Sequence, residues 1–174
     1  MKKLFFILAA VLITANVMAQ HEIGVIAGGI NGLSYKYWCS DRLALQADLA
    51  VGLTATPGAL YYKGTKLGSG TNAQYDFTLN PNLAYHFPLA SQLHLYAGGG
   101  VNIGMVSDIN NTNPNLIMGK FGANGIIGLS YLTGSNIVLA FDFRPGYGLG
   151  FMDASTAHFS FFDWKIGFAV RYCL

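Results

Sequence analysis

Charge is scarce in this chain: 10% of its residues are Asp, Glu, Lys or Arg, while 52% are hydrophobic. The charges also cancel, because beyond Lys2 and Lys3 eight basic residues meet eight acidic ones. A surface of that composition facing water would be poorly soluble at zero net charge. There is no basic stripe, and the dispersed lysines exclude a nucleic-acid-binding face. Long hydrophobic runs are missing too. Beyond Leu4 to Ala15, no apolar stretch approaches the roughly 20 residues that a helical membrane span needs. Gln20, not Cys, stands directly after Ala19, which argues against a lipoprotein anchor, and the only cysteines are Cys39 and Cys173.

What the chain has instead is alternation. Counting back from Leu174, every second residue is apolar or aromatic (Tyr172, Val170, Phe168, Ile166, Trp164, Phe162), while Cys173, Arg171, Ala169, Gly167, Lys165 and Asp163 lie between. That is a strand with one greasy face. The same pattern recurs in residues 43–54, 73–87, 92–106, 117–132 and 137–151. In them Leu45, Leu49, Leu95 and Phe141 share the apolar face with Ile166 and Phe168 of the last strand. Apolar composition without apolar runs is what period-two alternation produces. Residues 22–38 fit either one strand or a hairpin. An even strand count requires the hairpin, and Asn31-Gly32 within Gly28–Gly32 supplies a turn signal, giving strands at about 22–29 and 31–38. Pro81 and Pro145 interrupt good strands and are expected to form bulges or kinks.

Connections alternate in length. Residues 39–42, 88–91 and 133–136 are tight turns, whereas 55–72, 107–116 and 152–157 read as longer loops rich in Gly, Asn, Ser or Thr. Aromatics gather towards both strand ends: Tyr37, Trp38, Tyr85, Phe87, Tyr131 and Tyr172 at one, and Tyr75, Phe77, Tyr147, Phe151, Phe162 and Trp164 at the other. At the start, Lys2-Lys3, the apolar run and Val17-Met18-Ala19 form a signal-peptide pattern. The expected organisation is therefore a cleaved signal over 1–19 and one β domain over 20–174.

These features resemble the small eight-stranded outer-membrane β-barrel proteins. The alternate apolar residues that end the chain are similar to the terminal signal by which such barrels are recognised for assembly, although Leu174 stands where the family usually has Phe. Gln20 and the stretch Gly32-Leu33-Ser34-Tyr35-Lys36-Tyr37 look like members common in Bacteroidetes-type bacteria. The resemblance implies an all-β, up-and-down antiparallel transmembrane barrel in the outer membrane of a Gram-negative bacterium. It also implies a periplasmic C-terminus, longer loops outside the cell, outer-membrane lipid and lipopolysaccharide as surroundings, and the barrel assembly machinery as a partner in biogenesis. The expected state is a monomer without cofactor. A soluble secreted β-sandwich is the alternative fold, with the polar face turned to solvent.

Eight strands enclose an interior that side chains fill, so an open pore is not expected. Alternation places Lys36, Gln46, Asp48, Gln74, Asp76, Asn80, Asn82, His86, His94, Tyr96, Asn102, Lys120, Asn124, Asp142, Arg144, Asp163, Lys165 and Arg171 inside, where opposite charges should pair. The inward glycines Gly98, Gly100, Gly104, Gly122, Gly128, Gly146, Gly148 and Gly150 make room for long side chains opposite. His86 and His94 flank a turn without further ligands beside them, so no metal site is expected. His158 and Ser160, on one face of the last strand, are the only pair with the form of a general base and nucleophile. A His-x-Ser pair resembles the lipid A deacylases, but Phe161 follows where that family has Asn, and Asp163 lies on the opposite face. The expectation is therefore no enzyme, with a lipid hydrolase as the alternative. In loop 55–72, Tyr61-Tyr62-Lys63 and Lys66 offer contacts to lipopolysaccharide phosphates or a partner protein. With a hairpin over 22–38, Cys39 and Cys173 stand two strand spacings apart, roughly 9–10 Å. That exceeds the about 7 Å Cα limit for a disulfide, so both should be free thiols.

Overall fold

The structure, a computed structural model, describes residues 20–62, 65–108, 117–151 and 157–174; the expected signal peptide lies outside them. Eight strands follow one another: β1 (His21–Gly28), β2 (Asn31–Trp38), β3 (Leu43–Tyr62), β4 (Thr65–Pro88), β5 (Leu93–Asp108), β6 (Ile117–Leu132), β7 (Ile137–Phe151) and β8 (Ala157–Cys173). Each pairs antiparallel with the next, and β1 pairs with β8, so the sheet closes into an up-and-down barrel. Closure removes the sheet edges that would otherwise expose unpaired backbone.

Alternation becomes two surfaces. Leu45, Leu49, Phe141, Ile166 and Phe168 are among the exposed apolar side chains, while Asp48, Asp142 and Arg171, on intervening positions, are buried. The outer surface is therefore apolar and the charged residues lie within, the reverse of a soluble sandwich.

Residues 22–38 form the hairpin. Gly28 adopts φ 122°, a region that glycine enters without a Cβ penalty. Asn31 clamps the turn, its side-chain carbonyl accepting from the Gly28 N–H and its amide donating to the Gly28 carbonyl, each at 3.1 Å. Ile30 turns inward against Ile26, Ala50, Ala140 and Ala169. With β1 standing between β2 and β8, Cys39 and Cys173 are both free thiols. Alkylation without prior reduction is expected to add two labels per chain, faster at exposed Cys39 than at half-buried Cys173. A mass that needs reduction before either label adds would contradict this.

Three local expectations are corrected. The described part of 55–72 is not an open loop: β3 extends to Tyr62 and β4 starts at Thr65, the two pair along this length, and Gly58–Tyr62 also pair with Ala157–Phe161 of β8. The reason is closure around a short hairpin. β1 and β2 have 8 residues each, and beyond their tip β3 meets β8 directly. Of the bulges or kinks expected at the prolines, no bulge forms. Ladder pairing lapses near Pro81 between β4 and β5, and near Pro145 between β6 and β7, then resumes in the same register. A missing N–H deletes a ladder bond without requiring an inserted residue. Finally, Trp38 does not join the outer aromatic belt. It shares the inward face with Lys36, and its ring lies 4.4 Å from that of His86.

The glycine expectation holds clearly at Gly128. It is the register partner of Tyr96, and a Cβ there would lie 2.6 Å from the Tyr96 ring while also meeting the Phe141 carbonyl oxygen. Gly128→Val is expected to destabilise the barrel by about 3 kcal/mol, the upper end for overpacking, read as an earlier urea midpoint for refolding into vesicles. An unchanged midpoint would contradict the tight packing.

Candidate functional site: the barrel interior

The lumen is crossed by three layers of side chains. Nearest the β3–β4 tip, Lys120 Nζ donates to Asp76 Oδ2 at 2.8 Å and to Asp163 Oδ2 at 3.2 Å. Lys165 Nζ reaches the same oxygens at 3.1 and 3.5 Å. Two cations and two carboxylates thus form a closed square, and Lys120 Nζ also stands 4.4 Å from the Phe161 ring centre. Gly148, where a Cβ would meet the Phe161 ring, gives that ring its space. Below, Asn124 donates to the Asn82 side-chain carbonyl, Asn82 to the Asn80 carbonyl, and Asn80 to Thr78.

The middle layer is organised by Arg144. Its Nε and Nη2 donate to Asp142 at 2.9 Å each, and its Nη1 donates to Asp48 Oδ2 at 2.6 Å. The Tyr96 hydroxyl and the Gln46 amide donate to the same two carboxylates, at 3.1 and 3.0 Å. All five side chains are buried. A two-pronged Arg–carboxylate contact of this kind combines strength with fixed geometry.

The third layer, towards the short turns, is aromatic and basic. The His86 ring stacks 4.9 Å from Tyr96, and the Trp38 ring lies 4.4 Å from it, tilted by 49°. Lys36 Nζ stands 4.8 Å from the Tyr96 ring and 5.6 Å from the Trp38 ring. Arg171 donates from Nε to Ser34 Oγ at 2.7 Å. Glu22 is buried here as well, accepting from the Trp38 indole N–H at 2.7 Å. Outside this layer a cavity of about 470 Å³ opens at the short-turn end.

Every lumenal residue assigned by alternation whose side chain is described falls inside, although His94 and Lys165 are half-buried; the Gln74 side chain lies outside the described residues. Glu22, Ser34, Trp38, Thr78 and Phe161 are further inward residues beyond those the alternation assigns, and strict parity with Lys36 finds Trp38. Among the described residues no group of three potential metal ligands forms. Ser160 is half-buried on β8, opposite Leu149 of β7 and Ala59 of β3. His158 is opposite Phe151, and its side chain lies outside the described residues. Asp163 is engaged by Lys120 and Lys165 on the inner face, away from Ser160.

Among solved structures, the N-terminal β-barrel domain of Pseudomonas aeruginosa OprF matches with a TM-score of 0.52 at 15% identity, over 88% of this chain and 95% of that one. The chain has the fold of a small eight-stranded outer-membrane β-barrel. The outer membrane protein AlkL, solved in lipid bilayers, matches at TM-score 0.47 and 17% identity over 88% of each chain. OprG from Pseudomonas aeruginosa matches at 0.46 and 14%, over 88% of this chain and 92% of that one. No family model matches the sequence, and no curated protein does.

Proposed function

We propose that this chain is an integral outer-membrane protein with a structural or surface-interaction role, a monomeric barrel that is neither an open pore nor an enzyme. The observation that carries the reading is the inversion of polarity: large apolar side chains cover the outside while the ion-paired layers fill the inside. Lipid is the surrounding that suits such a surface. The short turns after β2, β4 and β6 gather at the end that holds the β8 terminus, and small barrels keep their short turns on the periplasmic side. On that reading the β3–β4 tip and the other long connections face outward, towards lipopolysaccharide or a partner, and the assembly machinery inserts the barrel. A Bacteroidetes-type family membership rests on the sequence resemblance alone.

Planar-bilayer recording tests the filled lumen. The purified chain is expected to give no discrete conductance, because three layers of paired or packed side chains block the axis. Stable single-channel steps from the unmodified chain would overturn the reading. The hydrolase alternative is tested with purified lipid A, from which no fatty acid should be released. A burst of release that vanishes in Ser160→Ala and survives Thr156→Ala would make the hydrolase the better reading.

A further inference from the structure

The barrel wall is uneven at the end opposite the short turns. β3 and β4 stay paired from Leu43 opposite Tyr85 out to Tyr62 opposite Thr65, and β8 accompanies the other side of β3 over Gly58–Tyr62. β5 stops sooner. Its outermost described residue, Asp108, is the partner of Gln74, so β4 runs on through residues 65–73 with β3 on one side and, among the described residues, no strand on the other. The eight residues (109–116) that join Asp108 to Ile117 are too few to make up the difference. Even stretched straight out and back they rise by about four residues, roughly 13 Å, whereas the nine residues of β4 beyond Gln74 (65–73) rise roughly 30 Å. Thr65 to Ser69 therefore form a sheet edge.

In an antiparallel pair every second residue turns its N–H and C=O away from its partner, and along an edge those groups are a template for a further strand. Natural edges are blunted by proline, lysine or a bulge. This one has exposed Lys66 and a register shift that leaves Leu67 without a partner on β3, but residues 58–80 contain no proline. No edge N–H is therefore removed. The charge of the tip is also of one sign, since from Thr54 to Tyr75 the chain has Lys63 and Lys66 and no Asp or Glu. An acidic strand suits it.

A second copy of the chain does not fit this edge. Two barrels in one membrane are related by an axis along its normal, so their β4 edges run in the same sense, and strands tilted by about 35–45° would cross at roughly 70–90° instead of aligning. A free peptide has no such constraint. Lipopolysaccharide phosphates would meet Lys66 but supply no ladder of alternating donors and acceptors. We propose that the Thr65–Ser69 edge of β4 binds an extended, acidic segment of another protein by strand addition, an interaction that rests on the outward orientation of the β3–β4 tip.

The test is titration of the purified full chain in detergent micelles with a fluorescein-labelled heptapeptide alternating Val and Glu, read by fluorescence anisotropy and by backbone amide exchange. Binding should saturate and slow the exchange of alternate amides within Thr65–Ser69. A fully N-methylated peptide keeps every charge but has no N–H to donate, and it should not saturate. Lys66→Glu, at an exposed position, should weaken the unmodified peptide about fivefold, the upper value for an exposed ion pair. Equal binding of the N-methylated peptide would overturn strand addition and leave charge alone. Slowed exchange confined to other strands would overturn the site, and slowed β4 exchange that grows with protein concentration before peptide is added would make a second copy the occupant. The orientation is read separately, by labelling Lys66→Cys on intact cells with a membrane-impermeant maleimide in a Cys39→Ser, Cys173→Ser background. Labelling without peptide binding would overturn the edge alone, whereas binding without labelling would overturn the outward orientation and with it an external partner.

Discussion

Arg144→Met is expected to cost the barrel about 3–5 kcal/mol, the range for removing one partner of a buried ion pair. The substitution keeps much of the side-chain length but leaves Asp48 and Asp142 facing each other without their shared cation. Both carboxylates are fully buried, and Arg144 supplies three of the hydrogen bonds that hold them. Tyr96 and Gln46 still donate, one to each, but neutral donors do not balance two charges in a dry interior. Urea titration of the refolded protein in vesicles reads the loss directly. A second variant separates charge from packing: Arg144→Met with Asp48→Asn and Asp142→Asn removes the whole ion network and should recover a large part of the stability. Equal destabilisation in the single and triple variants would show that Arg144 matters through volume alone, and the ion-pair explanation of the middle layer would be wrong.

The other large effect is on the outside. Phe168→Arg is expected to cost about 2–4 kcal/mol, the value for a cation facing lipid near the midplane of a barrel. Phe168 is 49% exposed, opposite Phe141 on β7 and Ala27 on β1. Tyr172 has the same outward face and similar exposure but stands at the end of β8, so Tyr172→Arg should cost about 0–1 kcal/mol, as near the interface. The contrast between these two sites is the informative quantity. A protein in water would tolerate arginine equally at either position, and equal small losses would remove the case for lipid contact.

The alternation was legible because it is a local property: a side chain two residues along a strand returns to the same face. Parity alone therefore places Asp142, Arg144 and Lys165 inside, and Phe141, Ile166 and Phe168 outside. The pairing of those charges was not legible. Arg144 meets Asp48 from a strand 96 residues away in sequence, and which inward residues share a layer depends on how every ladder is staggered around the barrel. Glu22 was missed because its strand alternates weakly: Gly24 and Ile26 share its inner face, so neither charge nor polarity marks that face. Trp38 points inward because it keeps parity with Lys36, although an aromatic at a strand end otherwise suits the outer belt. The strand character of 55–72 was hidden for a different reason. That stretch has Gly and Pro and no clean alternation; its described residues pair β3 with β4, and Gly58–Tyr62 also pair with β8, a contact made beyond the short β1 and β2.

The central claim, that the outer face of this barrel lies in lipid, is tested most directly by spin-label accessibility along β8. With Cys39 and Cys173 replaced by Ser, single cysteines at Lys165, Ile166, Gly167, Phe168, Ala169 and Val170 would be labelled in turn in reconstituted vesicles. Labels at 166, 168 and 170, whose native side chains are exposed, should collide freely with oxygen and poorly with a water-soluble nickel chelate, with oxygen access falling at the intervening positions. High access to the nickel chelate at 166, 168 and 170 would place that face in water and contradict the membrane barrel.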